Sequence, residues 1–321
     1  MSATTDQPAA MPTMVNSNEW RYYYYEPSHA LAIATSAVFA AMFLAHLFLL
    51  FRTRAKYMWP FTLGALGEVI GYALRRVSAD HPTGRGQGLI WYILQSLAII
   101  LSPALMAASL YMCFGRVITF VGEKYSYVRA SRVTFIFVSF DVLSFIVQGA
   151  GGSLYSSDNR SIYPAAKAIL IVGFLIQIIA LGVFFFFAII YQVRARKAGE
   201  GEGRWTLCLY TLYAGCIFIL IRGIFRTIEF GSGEGGGRGV LLEKEAWYYG
   251  LETLPIVLCV LLFIPSHPGF YIPSDRSLRL HPEDVPTSTS SETTTNDEEK
   301  DIGTGHELSR SKRLLKKVGW Y

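Results

Sequence analysis

Apolar residues along the chain gather into seven blocks with almost no charge, at about 28 to 50, 58 to 75, 89 to 113, 133 to 154, 166 to 193, 205 to 228 and 246 to 264. Blocks of about 18 to 28 residues, wound as helices rising 1.5 Å per residue, match a hydrocarbon core roughly 30 Å thick. The pattern predicts an all-α integral membrane protein with seven transmembrane helices. The chain then divides into an N-terminal segment over 1–26, a membrane domain over 27–269 and a tail over 270–321. The first segment holds Asp6, Glu19, Arg21 and Glu26 and lacks the basic start and apolar stretch of a cleavable signal. The first span is therefore expected to act as the insertion signal, with nothing removed.

Composition agrees with this pattern. Hydrophobic residues make up 52 % of the chain and charged residues 17 %, against roughly 25 % charged in an ordinary soluble domain. That excludes a soluble enzyme. The net charge of +5 is too small and too one-sided in placement for a nucleic-acid binder, so no nucleic-acid partner is expected. It reports orientation instead, because cytoplasmic loops retain Lys and Arg. With the N-terminus outside, the inner loops and tail hold nineteen of the 29 basic residues and the outer segments seven. An outside N-terminus and a cytoplasmic C-terminus follow. The sequon Asn159-Arg160-Ser161 then lies outside as a candidate glycosylation site, close to the bilayer.

The tail changes character from Pro265 onward. Thr287 to Thr295 is nearly all Ser and Thr and Asn296 to Asp301 is strongly acidic, a composition expected to stay disordered. Its end, Ser309 to Tyr321, mixes Arg310, Lys312, Arg313, Lys316 and Lys317 with Leu314, Leu315, Val318 and Trp320. That mixture suits an anionic inner leaflet, the alternative being a solvated basic tail.

Little in the sequence suggests catalysis or a cofactor. The four cysteines, Cys113, Cys208, Cys216 and Cys259, lie in or at the ends of spans, without a metal-binding spacing, and are expected to pack as small apolar residues. Of six histidines only His46 is well inside a span, too few for a zinc site, and a packing or hydrogen-bonded role is expected for it. There is no G-x-S-x-G and no phosphate-binding G-x-x-x-x-G-K-[ST]. Gly231 to Gly239 is expected to be a flexible outer loop, and Phe184 to Phe187 to face lipid or fill helix contacts. No cofactor, no metal and no enzymatic activity are expected.

The informative positions are polar residues inside the spans, where an ionisable group costs at least ~2.5 kcal/mol. They recur at helical spacing. Glu68, Tyr72 and Arg75 share one face of the second span, whose Gly64, Gly67 and Gly71 permit close helix approach. Gln95, Ser102 and Ser109 follow at intervals of seven in the third span, which also holds Pro103; Asp141, Ser144 and Gln148 run along the fourth. Arg222, Arg226 and Glu229 share a face of the sixth span, and Glu245, Tyr249 and Glu252 a face of the seventh. Glu68 lies roughly 15 Å from the start of its span, near the midplane, and the arginines lie in the outer half. The expected arrangement is a polar cavity open to the outside with an acidic floor. Its pairs would be Arg222 with Glu252, and Arg75 or Arg226 with Glu229 or Glu245. The competing reading is that these groups lock the helices together and bind nothing.

These positions sit in recognisable strings. Glu68-Val-Ile-Gly71-Tyr72-Ala-Leu-Arg75, Gln95-Ser96-Leu97 with Pro103-Ala-Leu, and Asp141-Val-Leu-Ser144 with Gln148 resemble the fungal RTA-like family, named for resistance to aminocholesterol. Arg222-Gly-Ile-Phe225-Arg226-Thr-Ile-Glu229-Phe230, the Glu245 to Pro255 segment and His267-Pro268-Gly269 extend the resemblance over about residues 22 to 270. At 252 the family usually carries Asp, and Glu252 keeps the carboxylate.

The resemblance implies a seven-helix lipid-translocating exporter located in the plasma membrane. It would move or release sphingoid bases or other toxic amphiphiles and give resistance to them. Carboxylates such as Glu68, Asp141 or Glu252 would hold an ammonium head while the chain lies among apolar faces. The alternative is a seven-helix lipid-sensing receptor, although Gly115-Arg116 and Leu254-Pro255-Ile256 stand where the large animal receptor family has other strings.

Overall fold

The structure is a computed structural model that describes residues 27–80, 87–155, 160–200, 203–232, 245–272 and 280. Helices form wherever an apolar block predicts one: α1 (His29–Thr53), α2 (Trp59–Ala79), α3 (Gln87–Val121), α4 (Ala130–Tyr155), α5 (Tyr163–Lys197) and α6 (Trp205–Ser232). The last, α7, runs over Glu245–Leu262 and passes through a π-helical turn at Tyr249–Thr253. No strand occurs among the described residues. The 1–26 segment, Asn159, most of the Gly231 to Gly239 stretch, and the tail beyond Ile272 except Leu280 lie outside them.

Several helices overrun their apolar blocks. At 35 residues each, α3 and α5 are roughly 50 Å long and stand out of a 30 Å core. The turns added to α3 over 114–121 are interrupted by Arg116, and those added to α5 end in Arg194, Arg196 and Lys197, which is why the apolar blocks stop short of them. Six of the helices are long and apolar enough to cross a membrane. The exception is α2, whose Glu68, Arg75 and Arg76 and three glycines dilute its apolar content. It lies between α1 and α3, so its polar face meets protein instead of lipid.

The α2 and α3 helices meet through small residues. A Cβ at Gly64 would sit 2.7 Å from the Ser102 carbonyl oxygen, and one at Gly71 would sit 2.5 Å from the Ile99 side chain. Only glycine allows this approach, and it brings the face of α2 that carries Glu68 against α3. On its other side, α3 sends Tyr111 into an aromatic cluster. Phe184 there lies 4.6 Å from the Tyr111 ring, 5.3 Å from Phe137 and 5.5 Å from Phe114. The phenylalanine run thus divides by helical rotation, Phe184 being buried and Phe186 exposed to the surroundings.

At the end of α1, His46 is buried and its Nε2 bonds the Val260 carbonyl of α7 at 2.9 Å. His267, in the turn after α7, accepts the Gly269 N–H at Nδ1 (3.1 Å). Burial, and then the neighbouring His46, push the His267 imidazole down to about 4. All four cysteines are buried, with the Cys113 and Cys208 sulfurs 3.4 Å apart across α3 and α6.

Two measurements test this packing. Gly64→Val should cost about 1–3 kcal/mol by overpacking the seam, read as a lower Tm in detergent; an unchanged Tm would mean that the helices do not approach this closely. His267 is held neutral by the fold, whereas the unfolded chain protonates near pH 6.5, so its contribution is complete above about pH 6.5 and is lost as pH falls toward about 4. Tm should fall across that window, and less steeply in His267→Gln.

Candidate functional site

The site begins with a proline. Pro103 has no N–H, so the carbonyl of Ile99, four residues earlier in α3, loses its intrahelical donor. The Arg222 guanidinium of α6 takes that carbonyl, Nη2 donating to Ile99 O at 2.6 Å. The same Nη2 lies 2.7 Å from Oε1 of Glu252 on α7. One helical turn along α6, Arg226 reaches the same oxygen from Nε at 2.9 Å and Nη2 at 2.8 Å. Its Nη1 donates to Glu229 Oε2, also at 2.8 Å. Glu252 lies within the π-helical turn, next to a second proline. Pro255 offers no N–H to the Leu251 carbonyl, and the widened turn accommodates the loss while facing Glu252 toward both arginines.

The network continues toward α2 and α1. Arg75 Nη2 lies 3.5 Å from Glu245 Oε1, and both Glu245 oxygens accept the Ser28 backbone N–H at 3.1 Å. The Tyr248 ring sits against two guanidiniums, with Arg75 at 4.2 Å and Arg226 at 5.6 Å from its centroid. The Tyr72 hydroxyl bonds Thr253, and its ring stacks on Tyr249 at 6.2 Å. Glu68, 1 % exposed, lies within electrostatic reach of Arg222, Glu252 and Arg226, but its Oε1 has no hydrogen-bond partner.

The structure therefore brings together Glu68, Tyr72, Arg75, Arg222, Arg226, Glu229, Glu245 and Glu252. Gln95 is buried on α3 one turn before Ile99. Asp141 and Gln148 stand apart from the network. Gln148 Nε2 donates to Ser144 Oγ (2.6 Å), which donates to the Gly173 carbonyl (2.8 Å), so these residues seal the α4–α5 seam. A Cβ at Gly173 would lie 3.1 Å from the Gln148 backbone nitrogen, which shows how tightly that seam closes. Asp141 faces Tyr111 on the other side of α3, and neither carboxylate oxygen has a hydrogen-bond partner. Three contributors escape a reading of charged residues alone: the Ile99 carbonyl, Tyr248 and Thr253. Pro103 was the sequence signal for the first.

Charge counting narrows the chemistry. Three guanidiniums, Arg75, Arg222 and Arg226, face four carboxylates, Glu68, Glu229, Glu245 and Glu252. Glu229, Glu245 and Glu252 are each engaged by an arginine. Glu68 Oε1 and Glu252 Oε2 are nevertheless buried without a hydrogen-bond partner, as are both oxygens of Asp141 beyond α3. A proton or an ammonium group suits such an oxygen.

Comparison with known proteins agrees with the resemblance of the sequence strings. The family model for RTA1 like protein matches residues 61–275, which contain every residue of this network except Ser28. The chain belongs to the RTA1-like family. Among relatives, Protein RTA1 of Saccharomyces cerevisiae is 31 % identical over 232 residues, covering 70 % of this chain and 68 % of that protein. Protoporphyrin uptake protein 1 of the same yeast is 29 % identical, covering 64 % of this chain and 66 % of its own length, just under two thirds. Probable lipid transporter atnI of Emericella nidulans is 24 % identical over 84 % of this chain and 76 % of that protein. No solved structure matches. With this family membership and its apolar helices, the protein is an integral, multi-pass membrane protein.

Removing the shared carboxylate should expose how much the RTA1-like fold relies on it. Glu252→Gln leaves two buried guanidiniums short of an anion and should cost about 3–5 kcal/mol, with Glu252→Asp intermediate. Pro103→Ala returns an N–H to Ile99 and should weaken the Arg222 contact, giving a smaller loss. Unfolding in detergent measures all three, and native Tm values throughout would mean that the network does not support the fold.

Proposed function

We propose that this RTA1-like protein is a membrane transporter of the lipid-translocating exporter type that carries cationic amphiphiles, with sphingoid bases as the leading cargo, and gives resistance to them. The observation that carries the proposal is the buried Oε1 of Glu68, without a hydrogen-bond partner beside a network in which arginines hold Glu229, Glu245 and Glu252. A sphingoid base offers one ammonium, hydroxyls and one long chain. The ammonium pairs with Glu68, the hydroxyls find polar atoms such as those of Tyr72 and Gln95, and the chain lies along apolar helix faces. The printed name of the Emericella nidulans relative, a probable lipid transporter, supports a lipid-like cargo. Porphyrins, named for a yeast relative, carry carboxylates and would have to compete for occupied arginines.

The proposed arrangement has seven spans, with 1–26 outside, the membrane domain over 27–269, a cytoplasmic tail over 270–321, and the plasma membrane as its location. Without a phosphate-binding motif for ATP, a proton on Glu68 or Asp141 is the natural exchange partner for the ammonium. Glu229, Glu245, Glu252 and the arginines then position Glu68 rather than hold the cargo directly.

Full-length protein in liposomes provides the test. A labelled sphingoid base should move between leaflets, and Glu68→Gln should slow it by about tenfold or more, equivalent to about 1.4 kcal/mol, at unchanged Tm. No movement with the native chain, or native rates with the variant, would overturn the proposal; binding without movement would favour the lipid-sensing alternative.

A further inference from the structure

A second feature lies at the far end of the bundle from Arg75 and Glu245, where the end of α3, the start of α4 and the end of α5 meet. A shallow groove opens there to the surroundings, lined by residues that include Phe114, Tyr127, Val133, Phe137, Phe187 and Tyr191. The polar atoms of the lining are turned inward and bonded: Tyr191 donates to the Gly122 carbonyl (3.2 Å), Tyr125 to Glu200 (3.2 Å), and Ser126 Oγ to the Val128 carbonyl (2.6 Å). Aromatic and branched apolar surface is what remains to face an occupant.

The rim has the opposite character. Tyr127 is 70 % exposed, and the Arg194 guanidinium lies 4.4 Å from its ring centroid. Arg129 and Arg132, both exposed, stand next to the groove residues Val128 and Val133. With Lys124, four cations face only Glu123 and Glu200 in this stretch. The N-terminus of α4, at Ala130, adds its positive dipole end to the same rim.

We infer that this groove is a binding site for an anionic glycerophospholipid, one acyl chain lying in the aromatic slot and the headgroup phosphate at Arg129, Arg132 and Arg194. An apolar slot with a cationic rim at the ends of three apolar helices complements a lipid whose chain and phosphate are joined at the membrane surface. The same rim repels an ammonium head, so this site is separate from the cation site at Glu68 and does not depend on it. By the distribution of basic residues, the lipid belongs to the inner leaflet.

Delipidated full-length protein in detergent is titrated with phosphatidylglycerol, phosphatidylcholine and inorganic phosphate, and bound lipid is read by native mass spectrometry. Phosphatidylglycerol should bind more tightly than phosphatidylcholine, and Arg129→Gln and Arg132→Gln should each weaken it by about fivefold. Because both side chains are exposed, Tm stays native. In a Phe187→Trp variant, phosphatidylglycerol with brominated chains should quench the added fluorescence, which locates the chain in the slot. Equal affinity for the two lipids, undiminished binding in the double arginine variant, absence of added quenching, or full competition by phosphate alone would each overturn the inference.

Discussion

The contact on which the rest of the structure depends is the Arg222 guanidinium, held between the Ile99 carbonyl and Glu252. Within a bilayer a backbone carbonyl cannot turn to water, so the proline that frees it also requires a replacement donor. Arg222 meets that requirement and brings a charge to a depth where charge is costly. Glu252 neutralises it, and in doing so fixes α7 against α6. Because Glu252 also receives Arg226, a second guanidinium is committed, and through Glu229 and Tyr248 this end of the helices becomes one bonded unit. The Tyr72–Thr253 bond and the Arg75–Glu245 pair join α2 to it, and the Ser28 N–H joins the start of α1. Two prolines, at 103 and 255, thus set where the charges must be.

Much of this was legible along the sequence, but not all of it at the same level. Helix existence followed from apolar runs, and the shared faces of Glu68, Tyr72 and Arg75, or of Arg222, Arg226 and Glu229, followed from a period of 3.6. The Gly64 and Gly71 positions announced a close approach that the α2–α3 seam contains. Helix ends were less legible, because charged residues, Arg116 in α3 and Arg194, Arg196 and Lys197 in α5, interrupt the apolar runs before the helices end. The grouping of polar residues was the least legible. Spacing says which residues share a face of one helix and is silent on which neighbour that face meets. For that reason Asp141 and Gln148, alike in the sequence to Glu68 and Arg75, end up on the α4 side of α3, one facing Tyr111 and the other sealing α5. The low hydropathy of α2 has the same origin, since its polar face meets protein while Leu63, Ile70 and Val77 on the other face are exposed.

Buried ion pairs are weak evidence for stability when counted singly, since desolvation offsets most of the attraction. What they do here is remove alternatives. With Glu229, Glu245 and Glu252 held by arginines, the buried carboxylate oxygens without a hydrogen-bond partner are Glu68 Oε1 and Glu252 Oε2, and separately both oxygens of Asp141. The bonds that lock the helices together therefore also fix which carboxylate oxygens stay open.

The distribution of bonds also decides where such a molecule can move. The ion pairs of Arg75, Arg222 and Arg226 lie within α6 and between α2, α6 and α7. The α4–α5 pair is closed tightly on itself at Gly173 and meets the rest through aromatic rings and single hydroxyl bonds, such as Tyr213 to the Ala188 carbonyl and Thr134 to the Tyr111 carbonyl. Parting two bodies along that boundary leaves the pairs of Arg75, Arg222 and Arg226 intact, whereas parting α6 from α7 would strand a guanidinium in an apolar medium. Asp141 sits on this boundary, and Glu68 lies across α3 from it. A displacement of α4 and α5 would therefore change the surroundings of Asp141 while leaving those of Glu68 fixed.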